Sequence, residues 1–131
     1  MDDNSFKTFE DLTCWQPCRE VRIFILGVVK SYPNEEKYSL VDNMKRAARS
    51  TTQNIAEGFG RFHYKENAQF CRISRGSLFE LLDDLITSID EEYINQEDYQ
   101  KGRDLISHAL TLLNGYINYL NRRSSSNTNN E

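Results

Sequence analysis

Proline is almost missing from this chain: there are two in 131 residues, with only six glycines beside them. So little punctuation favours a few long helices over many short strands. Long apolar runs are missing too. The longest, IFILGVV at 23–29, is far too short to span a bilayer. Cysteine is scarce and odd in number, three, with no zinc-ribbon spacing. That excludes a disulfide framework and points to free thiols in a reducing, cytoplasmic compartment. The N-terminus, MDDNSF, is acidic and polar, unlike a signal or transit peptide. A global excess of positive charge is also lacking. The net charge is −4, without the basic signature that announces a nucleic-acid binder.

What is present suffices for one domain with one core: 38% apolar and 27% charged residues. The charge is unevenly spread. Between Lys45 and Arg75 seven Lys/Arg (Lys45, Arg46, Arg49, Arg61, Lys65, Arg72, Arg75) stand against two acids, Glu57 and Glu66. This local basic field is the part a bound partner would feel.

Apolar spacing of three and four predicts four helices. The first starts between Asp11 and Pro17, carries Cys14, Cys18, Val21, Ile25, Val28 and Tyr32 on one face, and stops before Pro33. The second starts at Asn34 as N-cap, shows the stripe Val41, Met44, Ala48, Thr51, Ile55, and ends at Gly58 in a left-handed cap. The third covers 63–91 with Tyr64, Cys71, Ser74, Leu78, Leu81 and Leu85 inward. The fourth begins near Asn95 and runs Tyr99, Gly102, Ile106, Ala109, Leu113, Tyr116, Leu120. No stretch alternates with period two, so no sheet is expected. The fold class is all-α, an antiparallel up-down-up-down four-helix bundle. It spans 1–120, with a short N-terminal arm at 1–10 and a polar tail, 121–131, expected to be disordered.

The stretch RAARSTTQNIAEGFGR, 46–61, concentrates small residues, which keep a helix thin enough for a close neighbour. Gly76 and Ser77 are expected to do the same on the third helix. GFG is no phosphate loop, since it follows a helix and lacks a lysine-serine closure. With FCRISRGSLFEL at 70–81, FEDLTCWQ at 9–16 and YPNEEKYSL at 32–40, this stretch resembles the four-helix-bundle family encoded within intervening sequences of bacterial 23S ribosomal RNA genes. The NIAEG and GSL-x-E elements carry the resemblance: Asn54, Glu57 and Gly58, then Gly76 and Glu80. That family is similar to the accessory variability determinant of diversity-generating retroelements, a basic bundle that works with a reverse transcriptase. The resemblance implies a ring-like homo-oligomer, a pentamer, with no established enzymatic activity and with nucleic-acid binding proposed. This chain departs from the retroelement relative in being acidic overall.

Candidate sites follow. If the second and third helices turn near Gly60, facing positions sum to about 121. Arg46 then faces Arg75, and Arg49 faces Arg72, in one strip suited to phosphate. Glu57 faces Tyr64 and Lys65, with Arg61 or Lys65 as its expected ion partner, and Glu80 faces Val41, with Lys45 a turn away. The two acids are too far apart along the hairpin to act as a catalytic pair and read as structural ion pairs. Asn54 is expected to satisfy polar groups in the turn near Gly58. Cys14 and Cys18 align with neither histidine, so no metal, cofactor or catalytic group is assigned. Ile23, Phe24, Leu26 and Val29 cover so much of the first helix that they form a candidate oligomer interface, unless Phe6 and Phe9 cover them. The expected function is a non-enzymatic homo-oligomeric bundle that binds RNA or DNA backbone through the strip. The alternative is a protein-interaction scaffold that uses the strip in assembly.

Overall fold

A computed structural model of the chain describes residues 7–129, with side chains through Ser126. Phe6 lies outside these residues. The helices are α1 (Trp15–Val28), α2 (Leu40–Phe59), α3 (Tyr64–Asp90) and α4 (Gln96–Asn129), with short 3-10 turns at Phe9–Asp11, Val29–Ser31 and Asn34–Glu36. α1 packs against α2 and α4, and α3 packs against the same two. α1 and α3 therefore occupy opposite corners of an antiparallel four-helix bundle, with no strand among the described residues.

The apolar stripes converge as their spacing requires. Cys14, Cys18, Val21, Ile25, Met44, Ala48, Ile55, Cys71, Leu78, Leu81, Leu85, Ile106, Ala109, Leu113 and Leu120 are all buried. Pro17 falls in the first turn of α1, where its missing N–H costs nothing. Asn95 caps α4, its Oδ1 accepting from the Asp98 amide at 2.7 Å.

Three boundaries differ from expectation. α2 begins at Leu40, because Asn34–Glu36 forms a separate 3-10 turn. The Glu36 carboxylate then caps the helix from outside, accepting from the Leu40 amide at 3.4 Å, and it also accepts from Ser39 Oγ at 2.7 Å and from Tyr93 OH at 2.8 Å. The hydroxyl bonds hold it below the usual carboxylate range, the one from Ser39 contributing most. α2 ends at Phe59 rather than Gly58, and no described glycine takes a positive φ. Gly58 is needed for another reason. A Cβ there would sit 2.6 Å from Asn67 Oδ1 and 3.0 Å from the Asn67 carbonyl oxygen. Lastly, α4 continues past Leu120 to Asn129, over residues expected to be disordered. No proline or glycine interrupts 121–129, so the backbone ladder carries on after the apolar stripe has stopped.

Candidate nucleic-acid interface

The hairpin of α2 and α3 decides where the arginines go. Its contacts are Asn43 Nδ2 to Asp84 Oδ2 at 2.9 Å, Ser77 Oγ to Ser50 Oγ at 2.8 Å, and Ser74 Oγ to the Thr51 carbonyl at 2.8 Å. Gly58 meets Asn67. Facing numbers thus sum to about 125–127 rather than 121. The connection extends through Gly60–His63, and α3 starts only at Tyr64, so the centre of reflection moves two to three residues downstream.

This shift dissolves the expected strip. Arg72 and Arg75 do not meet Arg49 and Arg46. They reach α4 instead: Arg72 Nη2 donates to Asn121 Oδ1 at 3.1 Å, and Arg75 Nη1 to Asn114 Oδ1 at 3.0 Å. Arg61 is also engaged internally, bonded to Glu57 at 2.9 Å, near Glu66 at 3.8 Å, and stacked over Phe70. Lys65 is exposed at the start of α3. Lys45, half-buried, and Arg46 and Arg49, both exposed, remain on α2. No ion pair engages them among the described residues.

Arg49 gains a neighbour that the sequence did not suggest. A cleft of about 420 Å3 between α1 and α2 is lined by Phe9, Trp15, Arg22, Leu26, Arg49, Thr52, Gln53 and Ala56. Arg22 Nη1 donates to Thr52 Oγ1 at 2.8 Å, which fixes its guanidinium over α2. Arg19 stands over the Trp15 ring, one turn from Arg22. The basic surface therefore lies across α1 and α2, with Arg19, Arg22, Lys45, Arg46 and Arg49. Arg19 and Arg22 lie outside the 45–75 stretch. Only their i, i+3 spacing on the polar side of α1 hinted at them.

The other singled-out residues divide. Glu57 pairs with Arg61, one of its two expected partners, but on an exposed surface, Arg61 44% and Glu57 53% accessible, so the pair is a weak one. Asn54 bonds one turn back, to the Ser50 carbonyl at 3.0 Å and Ser50 Oγ at 2.8 Å, not at the turn beside Gly58. Glu80 is exposed and makes no ion pair among the described residues. Gly76 is exposed and a Cβ there would meet nothing within 4 Å, so it is not the thin spot of the α2–α3 seam; Ser77 is. Of the α1 interface candidates, Val29 is in the core and Phe24 packs on α4 against Gly102 and Lys101. Leu26 lines the cleft, and only Ile23 is largely exposed. A helix at a bundle corner touches two neighbours, so its buried arc is wider than one stripe.

Cys14, Cys18 and Cys71 are free and fully buried. Burial pushes all three thiols up, Cys18 and Cys71 to about 12. Among the described residues no group of His, Cys, Asp or Glu could hold a metal ion, and no helix is long and apolar enough to cross a membrane.

Bundle and surface together define an all-α helical protein with a basic face on one pair of helices. The chain belongs to the 23S rRNA-intervening sequence protein family, whose profile matches residues 10–115. A crystal structure of a protein of unknown function from the S23 ribosomal protein family of Bacteroides thetaiotaomicron has the same fold. It superposes with a TM-score of 0.74 at 22% identity, covering 80% of this chain and 95% of that one. No curated protein matches the sequence.

Proposed function

We propose that this protein is a non-enzymatic, self-associating bundle that binds the phosphate backbone of RNA or DNA through the α1–α2 face. The observation that carries the reading is the convergence of Arg22 and Arg49 on one cleft, with Arg46 one turn away and no acid paired to it or to Arg49 among the described residues. Unpaired guanidinium groups from two helices suit a polyanion, because each fork donates two parallel bonds to phosphate. Such binding is backbone-dominated and steeply salt-sensitive. Repetition of the face in an oligomer multiplies weak contacts.

Because the arginines fall into two groups, the test is direct. Binding to structured RNA and to duplex DNA is measured across a salt series. Replacing Arg22, Arg46 and Arg49 by Gln should reduce the log–log salt slope by about 3 on duplex DNA. Replacing Arg72 and Arg75 by Gln should leave it unchanged. Equal slopes for the parent and the triple variant would overturn the reading. The second reading, a protein-interaction scaffold, has its own support in the exposed Ile73 and Phe79 of α3, 52% and 54% accessible.

A further inference from the structure

The cleft between α1 and α2 has walls that a phosphate alone does not use. Arg49, Thr52 and Ala56 follow one another at three-and-four spacing on α2, and Arg22 and Leu26 stand one turn apart on α1. Small side chains at Thr52 and Ala56 keep α2 thin there. The space, about 420 Å3, falls within the range of small-molecule sites. One wall is apolar, from Phe9, Trp15 and Leu26. Phe9 meets the Trp15 ring edge-on at 5.3 Å, and Arg19 stands over that ring, which holds the indole in place. Trp15 is 8% exposed, and its Nε1 is buried without a hydrogen-bond partner among the described residues. A buried donor without an acceptor is costly. This wall therefore favours a guest that brings an acceptor over a purely apolar one.

The rim is cationic. Arg22 spends one donor on Thr52 Oγ1 and keeps the rest of its fork. Arg49 and Gln53 are exposed beside it, and no carboxylate is among the described residues that line the cleft. A guest that meets all these groups has a planar body with acceptor atoms on its edge, joined to an anionic head. A nucleotide has that form, because its phosphate lies one sugar away from a flat base. We propose that the cleft takes one unpaired nucleotide, with its base against Phe9, Trp15 and Leu26 and its phosphate on Arg22 and Arg49. The Gln53 amide, both donor and acceptor, serves the polar edge of the base. A base paired and stacked inside a duplex cannot enter. The cleft thus selects unpaired nucleotides, while the arginines of the basic face hold backbone of either kind. The phosphate half of this inference rests on the function proposed above; the base half rests on the cleft.

Trp15 is the only tryptophan of the chain, so its fluorescence reports on the cleft. The full chain is titrated with adenosine monophosphate, ribose phosphate, a single-stranded adenine oligonucleotide and a DNA duplex. The single strand should change Trp15 emission saturably, and ribose phosphate and the duplex should not. A matching response to adenosine monophosphate assigns the site to free nucleotides as well; its absence assigns it to nucleotides within a strand. Two variants alter the cleft and keep its arginines. Ala56→Leu fills it, and Gln53→Leu removes the exposed rim amide. Each should weaken single-strand binding at least about fivefold, while the salt slope on duplex DNA stays that of the parent. Circular dichroism verifies folding, and Gln53→Leu carries the test alone if Ala56→Leu does not fold. Trp15 emission unmoved by both the strand and the mononucleotide, an equal response to ribose phosphate, or parent-like strand binding by the folded variants overturns the base site and leaves the phosphate reading standing. A parent that binds neither duplex nor strand overturns that reading. The response to adenosine monophosphate then decides the cleft by itself, its presence upholding the site and its absence overturning it.

Discussion

Toward α2, α3 buries Asn67, Ser74, Ser77, Asp84 and Ser88; toward solvent it leaves Ile73, Phe79 and Ile86 exposed. The inner side thus sets buried polar groups among the core residues Cys71, Leu78, Leu81 and Leu85. Its groups are matched individually: Ser74 to the Thr51 carbonyl, Ser77 to Ser50, Asp84 to Asn43, and Asn67 Nδ2 to Tyr116 OH at 3.0 Å. Apolar side chains can slide past one another at small cost, but buried hydrogen bonds hold only in one register. The inner side therefore fixes how α2 and α3 align. Away from α2 the matched groups are fewer, Arg72 to Asn121 and Arg75 to Asn114 of α4, and apolar side chains stay exposed beside them.

The most severe way to break the inner seam is at Gly58. Gly58→Ala drives a methyl into Asn67 from 2.6 Å and into its backbone from 3.0 Å. The helices must part, and stability to urea should fall by about 3 kcal/mol. Asp84 sharpens the contrast through pH. Burial pushes its carboxyl up to about 6, with the Glu80 charge adding to the rise and the Asn43 hydrogen bond opposing it. The folded state then holds the proton over a range where the unfolded state has lost it. Stability contributed by this group is full below pH 4, falls as pH rises to about 6, and stays low above. Asp84→Asn should remove that fall and raise stability at pH 7 by on the order of 2 kcal/mol, read from melts at pH 4, 5, 6 and 7.

On the outer side the sign reverses. Gly76→Ala should stabilise the subunit in dilute solution by about 1 kcal/mol through helix propensity alone, since a Cβ there meets nothing within 4 Å. An unchanged melting temperature in dilute solution would show that something in the subunit opposes a Cβ there. The smallest effect belongs to the exposed Glu57–Arg61 pair. Glu57→Gln should change thermal stability by less than about 0.5 kcal/mol. A larger loss would mean that the signature glutamate does more for the hairpin than its exposure implies.

The four helices were legible because stripes such as Val41, Met44, Ala48, Thr51, Ile55 survive intact into the core. The register was not, since it depends on how many residues the connection consumes before α3 starts, and nothing in GFGRFH specifies that. With the register misplaced, four arginines were gathered that the fold separates. Arg22 was missed because its partner Thr52 is 30 residues away, beyond any local pattern. The value of Gly58 was legible, but its reason was not. A close approach and a left-handed cap both call for glycine, and only the contact with Asn67 distinguishes them.

The three thiols give the molecule a built-in record of its own opening. Cys14 and Cys18 lie at the start of α1 and Cys71 lies on α3, all fully shielded and all held as thiols well above neutral pH. Only a thiolate reacts readily, so an alkylating reagent must wait until the helices come apart. The rate at which each sulfur is capped measures how often its part of the bundle unlocks. Equal rates at all three would mean that it unlocks as one body, and faster capping at Cys14 and Cys18 would mean that α1 peels away first.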